Sequence, residues 1–181
     1  MRVVPALDPP PVLQPWSLEA CGVKLLSLGD GISNAAFGPA WPAANYIVYV
    51  PFSLQKPAQP TGFFYLPAGA AVDIDVGVYD HTGVRLARTG IVTSPASGQP
   101  QYVPIAVPVL GVGRGYLAFW KATATAIGGR AFSGSLGCLS WLGLLEEAGG
   151  AGGLPAQATF ATFSQTRIPM CGLVFDDRVF V

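Results

Sequence analysis

The run Val72-Asp73-Ile74-Asp75-Val76-Gly77-Val78-Tyr79 alternates strictly, and Asp80-His81-Thr82-Gly83 follows it at once. Strand side chains repeat every two residues, so Val72, Ile74, Val76 and Val78 share one face and Asp73, Asp75, Gly77 and Tyr79 the other. The first face must be buried. Asp80 opens a turn, Gly83 supplies a left-handed residue, and Val84-Arg85-Leu86-Ala87-Arg88 runs back as a second strand. This pattern dictates a half-buried antiparallel sheet.

Further strand signals surround the hairpin. Tyr46-Ile47-Val48-Tyr49-Val50 is β-branched and aromatic, with Pro42 before it and Pro51 after it, and predicts a central strand with fixed ends. Gly62 to Leu66 and Ile91 to Thr93 read as strands. Tyr102 to Val109 is extended, and Pro104 and Pro108 restrict it to an edge or a bulge. Gly115 to Thr125 carries Leu117 and Phe119 on one face and Tyr116, Ala118 and Trp120 on the other, which predicts a sandwich interior on one side and a subunit contact on the other. Leu142 to Ala148 has helix-forming composition and reads as a short helix or turn before Gly149-Gly150. Ala151 to Ala156 reads as a flexible glycine-rich link. Thr159 to Phe163 and Ile168 to Phe175 predict the final strands, with Asp176-Asp177 as a turn before Val179-Phe180-Val181. The expected fold is all-β: an antiparallel, jelly-roll-like β-sandwich over residues 41–181.

Residues 1–40 differ. Pro5, Pro9, Pro10, Pro11 and Pro15 force extended backbone without donors for a sheet interior, so an extended N-terminal arm is expected. Trp16, Leu18, Leu25 and Leu26 are too apolar for a free tail and are expected to lie on the arm's own sandwich or on a neighbouring subunit.

Hydrophobic residues make up 51% of the 181 positions and charged residues 11%, against about 25% charged in a typical soluble domain. A monomer of this mass exposes on the order of 8,000 Å², too much for ten acidic and ten basic residues to solvate. A homo-oligomer is therefore expected, a trimer among the symmetric options. The net charge of zero gives no general electrostatic drive toward nucleic acid or an anionic membrane. No run of 18 apolar residues occurs, so no membrane span is expected, and the amino terminus has no apolar core of signal-peptide length. Cys21, Cys138 and Cys171 are odd in number and far apart, which favours buried free thiols made in a reducing cytoplasm.

Reactive groups are sparse. His81 is the one histidine, it sits at a hairpin tip, and no Gly-x-Ser-x-Gly elbow supports a triad with a serine such as Ser135. Asp73 and Asp75 share a strand face near Asp80, a pairing that can serve calcium or glycoside cleavage. Without an alternating ligand loop or a carboxylate across a cleft, a solvated or interface-facing strand is the better reading. Together with Tyr79, Asp73 and Asp75 are the candidate glycan contacts, because a flat ring suits the apolar face of a pyranose. Gly111-Val112-Gly113-Arg114-Gly115 lacks the Lys-Ser/Thr ending of a phosphate loop and reads as a turn. No catalytic residue, cofactor or metal ligand set is expected, and no enzyme.

One likeness remains. Trp41-Pro42-Ala43-Ala44-Asn45, Val50-Pro51-Phe52, Asp75-Val76-Gly77-Val78-Tyr79-Asp80 with Gly83, Gly115-Tyr116-Leu117-Ala118 and Ile168-Pro169-Met170-Cys171-Gly172-Leu173 resemble β-sandwich structural modules encoded among the head and tail genes of tailed phages. The resemblance implies a virion protein that decorates or reinforces the particle, with major capsid or tail proteins as partners and the virion as its location. Trp16, Leu18, Leu25, Leu26, Tyr116 and Trp120 are then the candidate interface residues. The alternative is a carbohydrate-binding module of a phage tail that contacts the host receptor.

Overall fold

The computed structural model describes residues 23–26, 36–54, 56–67, 70–96, 99–131, 143–165 and 167–175. Trp16, Leu18, Asp176-Asp177 and Val179 to Val181 lie outside them, as do Cys21 and Cys138. In chain order the strands are β1 (Val23–Leu26), β2 (Ala36–Ala40), β3 (Tyr46–Leu54), β4 (Gly62–Tyr65), β5 (Val72–Asp80), β6 (Arg85–Arg88) and β7 (Val92–Ser94). There follow β8 (Gln101–Pro104), β9 (Gly113–Lys121), β10 (Ala126–Ala131), β11 (Leu145–Ala148), β12 (Ala161–Thr162), β13 (Arg167–Pro169) and β14 (Cys171–Val174). No helix occurs among the described residues.

A four-stranded sheet in the order β1-β14-β4-β8 faces a larger one in the order β12-β11-β3-β9-β5-β6, on which β7 also pairs with β5. The chain alternates between them: β1 in the small sheet, β3 in the large, β4 small, β5 and β6 large, β8 small, β9 large, β14 small. That alternation is the jelly-roll path, so the expected β-sandwich is the observed architecture. Every pairing in it is antiparallel. The excursion between β9 and β14 adds β11 and β12 to the large sheet and places β10 and β13 with β2 in a further three-stranded sheet.

The predicted inner face of the hairpin is in the core. Ile74, Val76 and Val78 of β5 are joined there by Val48 and Val50 of β3 and Leu117 and Phe119 of β9. They pack on Phe63 and Tyr65 of β4 and Leu173 of β14. Trp41 closes one end, its ring 5.4 Å from that of Phe119 and edge-on to it, while its indole N–H donates to the Tyr46 carbonyl at 3.1 Å. Each large buried side chain contributes about 1.5–3 kcal/mol by leaving water, and this shared face is what joins the layers.

Several expectations need correction. β3 runs through Pro51 to Leu54 instead of stopping there, because β11 pairs only with Tyr46 to Tyr49 and leaves that edge of β3 without a ladder for a missing N–H to break. Leu145 to Ala148 forms a strand and not a helix, since pairing with β3 outweighs a weak local propensity. Val23–Leu26 and Ala36–Ala40, within residues 1–40, pair with β14 and β10, so Leu25 and Leu26 lie on this chain's own sandwich, one of the two places expected for them. Pro104 does end an edge strand, β8, as expected.

Lys121 continues the inner face of β9 and is 1% exposed. Its ammonium donates to the carbonyl of Thr125, to the Thr125 hydroxyl at 2.7 Å and to the Ala126 carbonyl at 3.1 Å, so it ties down the turn between β9 and β10. Burial lowers its pKa from 10.5 to about 8. Between those values the unfolded chain holds a proton that the folded chain has released, so stability rises with pH across that window. Tyr49 and Tyr79 act in the opposite sense, because burial raises both above the ordinary 10 and the unfolded chain ionises first. Urea unfolding midpoints are expected to climb from pH 8 to pH 10 and to fall above it. In Lys121→Met the climb disappears; a wild-type profile flat over that interval would refute this account.

Candidate functional site

The second face of the large sheet carries Asp73, Asp75, Gly77 and Tyr79 of β5, Tyr116, Ala118 and Trp120 of β9, and Ile47 and Tyr49 of β3. Most of it is covered by this chain itself. Residues 149–160 cross it as a strap, burying Leu154 and Ala158 against Ile47, Tyr49, Tyr79, Ala118 and Trp120. Tyr49 is the aromatic centre, with the rings of Tyr79 at 5.3 Å and Phe160 at 5.0 Å, both edge-on.

A glycine-rich strap has few apolar groups to bury, so polar contacts fix its path. The Trp120 indole donates to the Gly150 carbonyl at 3.2 Å and the Tyr79 hydroxyl to the Pro155 carbonyl at 2.6 Å. Arg85 and Arg88 both donate to the Leu154 carbonyl. Asp75, fully buried, takes the Leu154 N–H at 3.0 Å and Arg88 Nη1 at 3.1 Å on Oδ2, and the Thr89 hydroxyl at 3.2 Å on Oδ1. Desolvation dominates its protonation equilibrium and raises its pKa, opposed by the Leu154 N–H and by Arg88. At the flank, Glu147 accepts from the Tyr49 hydroxyl at 2.7 Å and the Thr159 N–H at 2.9 Å. Glu146 holds the N–H and hydroxyl of Ser164.

The structure separates the predicted site residues. Asp73 stays open, its Oδ1 accepting from the Thr93 hydroxyl at 2.7 Å, whereas Asp75 and Tyr79 are 0% exposed and cannot meet a glycan. The alternation assigned their face correctly, but the face is not a free one. Trp120 is likewise buried and Tyr116 half-buried, so the expected subunit contact on this side of β9 is filled from within. Ala151 to Ala156 is a fixed strap instead of a flexible link. His81 sits exposed at the hairpin tip. Against slight desolvation, hydrogen bonds from Thr82 and Val84 hold the neighbouring Asp80 below the usual carboxylate range. No group of three or more His, Cys, Asp or Glu side chains among the described residues is placed to hold a metal ion.

Among the described residues, open grooves lie where β3 ends and β9 begins. A groove of about 410 Å³ is lined by Pro51, Phe52, Ser53, Arg114, Gly115, Tyr116 and Gly143. A smaller cleft of about 160 Å³ beside it runs past His81, Leu86 and Val112. Arg114 borders both. Gly115 is required there, because a Cβ would stand 2.7 Å from the Phe52 ring and 2.7 Å from the Tyr79 carbonyl. Gly111 to Gly115 reads in the sequence only as a turn. That reading passes over an arginine with no acidic residue near it in the chain.

Asp75→Ala is expected to cost about 2–4 kcal/mol in urea unfolding, since it leaves the buried Leu154 N–H without its acceptor and Arg88 without its counter-ion. Amide exchange at Leu154 should accelerate far beyond that at Ile47, while Thr93→Ala, at the exposed Asp73 pair, stays within about 0.5 kcal/mol of wild type. Gly153 has φ +81° and a Cβ there would stand 2.6 Å from Asp75 Oδ2, so Gly153→Ala is expected to destabilise by about 1–3 kcal/mol. A loss below about 0.5 kcal/mol in both Asp75→Ala and Gly153→Ala would show that the strap does not depend on this network. Comparisons with protein-family models, with curated proteins and with solved structures found no match for this chain.

Proposed function

We propose that this chain is a structural jelly-roll subunit that acts by packing against other protein copies, as its resemblance to tailed-phage virion modules implies. The described charged side chains serve mainly inside the molecule: Asp75, Arg85, Arg88 and Glu147 fasten the strap, Glu146 pins Ser164, and Lys121 ties a turn. The observation that carries the reading is the group of large apolar side chains left outside. Val84, Leu86, Ile91, Val109 and Val112 are 40% to 64% exposed.

β6 and the loop before β9 share one margin. Leu86 and Val112 wall the same cleft, Val84 bridges to Gln157, and Ile91 stands against the strap at Gly153. Side-chain packing supports this mode better than strand addition at β8, β12 and β6, which are poor templates. β8 ends in Pro104, β12 has two residues and β6 slips register at Leu86. Jelly rolls occur in viral capsid and lectin domains alike, so the virion assignment rests on the sequence likeness and on fold analogy.

Sedimentation of the full chain over a wide concentration range at its pI of 6.5 should show concentration-dependent association. The double variant Leu86→Asp, Val112→Asp should sediment as a monomer with unchanged circular dichroism. A wild-type chain monomeric at every concentration would overturn the assembly reading. Mass analysis of particles purified from the producing host is expected to contain the chain, and its absence would overturn the virion part.

A further inference from the structure

We infer that the groove between the end of β3 and the start of β9 is a binding site for a carboxylate-bearing sugar, with Arg114 as its anion contact. Arg85 and Arg88 are consumed by the strap and by Asp75, whereas Arg114 is exposed and has no hydrogen bond or ion pair among the described residues. In the adjoining cleft the Asp80 carboxylate is fixed by its own hairpin, Oδ1 accepting from the Thr82 N–H, the Thr82 hydroxyl and the Val84 N–H. An unpaired guanidinium fork on a rigid strand is shaped for bidentate contact with a planar carboxylate.

The rest of the groove specifies what carries that carboxylate. Its volume of about 410 Å³ lies within the span of small-ligand sites, roughly 300–1,000 Å³. Phe52 and Tyr116 provide ring surface and Ser53 an exposed hydroxyl, a combination that suits the apolar face and the hydroxyl edge of a pyranose. Tyr116 is held in place from behind by Phe160, 4.8 Å away and tilted by 49°, and by Tyr49 at 6.5 Å. Phe52 lies over Gly115, where any side chain would displace it. Peptide capture is disfavoured, because a strand added along this stretch of β3 needs backbone donors and Pro51 has none. The site is therefore pre-ordered for an acidic glycan.

The test is an amide chemical-shift titration of the isotope-labelled full chain with trigalacturonate, with maltotriose as the neutral probe. Trigalacturonate is expected to shift Phe52, Ser53, Gly115 and Tyr116, and maltotriose to bind at least about tenfold more weakly, the effect of losing one charge-assisted pair. Arg114→Gln should remove that advantage while leaving the spectrum folded, and Arg114→Lys should restore part of it. Three outcomes would overturn the inference: no shift in these residues, equal binding of the two sugars, or acidic-sugar binding unchanged in Arg114→Gln. An acidic peptide that shifts the same amides as strongly would also overturn it, assigning the groove to a protein partner. The assembly reading is decided separately by sedimentation, since Leu86→Asp and Val112→Asp lie outside this groove's wall.

Discussion

The large sheet is apolar on both faces, and the rest of the structure follows from having to cover it twice. Its inner face, Val48, Ile74, Val76, Val78, Leu117 and Phe119, finds the small sheet. Its outer face, Ile47, Tyr49, Tyr79, Ala118 and Trp120, has no second sheet to meet. A jelly roll of eight strands, each used once, leaves such a face to solvent or to another subunit. Here the excursion between β9 and β14 returns over it and converts a two-layer sandwich into a sandwich with a strap. The apolar surplus implied by the composition is thus partly consumed within one chain.

Covering a sheet with a strap poor in side chains raises a second problem, the strap's own backbone groups. A buried N–H or carbonyl without a partner costs about 1–3 kcal/mol, and residues 149–158 bring several. The sheet answers with groups of the right sign at the right height: the Asp75 carboxylate under the Leu154 N–H, the two arginines of β6 at the Leu154 carbonyl, and Tyr79 and Trp120 at Pro155 and Gly150. Leu154, Arg88 and Thr89 converge on Asp75 and offset part of its desolvation, which still raises its pKa. Among the described residues, Asp75, Arg85, Arg88, Lys121, Glu146 and Glu147 are therefore spent on holding the fold together.

Much of this was legible in the sequence, and the part that was not shares one cause. The inner face of β5, the turn at Asp80 to Gly83 and the edge position of β8 follow from period-two alternation and from turn and proline chemistry, all of them local. The strap has no period, and its partners are remote: Leu154 meets Asp75 across 79 positions. Asp73 and Asp75 look equivalent in the sequence, yet one pairs with Thr93 in the open and the other is sealed beneath the strap. Leu145 to Ala148 reads as helix because two glutamates favour it. Those same glutamates are fixed by Tyr49, Thr159 and Ser164, contacts that only the strand arrangement supplies.

Self-coverage also redirects where contact with other molecules can occur. With the broad outer face closed, two open surfaces among the described residues lie at the perimeter: the β6 margin with Leu86 and Val112, and the end of β3 and β9 with Arg114. The two differ in character. The margin offers aliphatic side chains and no free strand edge of useful length, which suits packing between proteins. The groove offers a guanidinium without a partner among the described residues, two ring side chains and a hydroxyl on central, mutually paired strands, which suits a small polar ligand. Because Val112 precedes β9 by one residue and lines the same cleft as Arg114, a neighbour seated on Val112 would also form a wall beside Arg114.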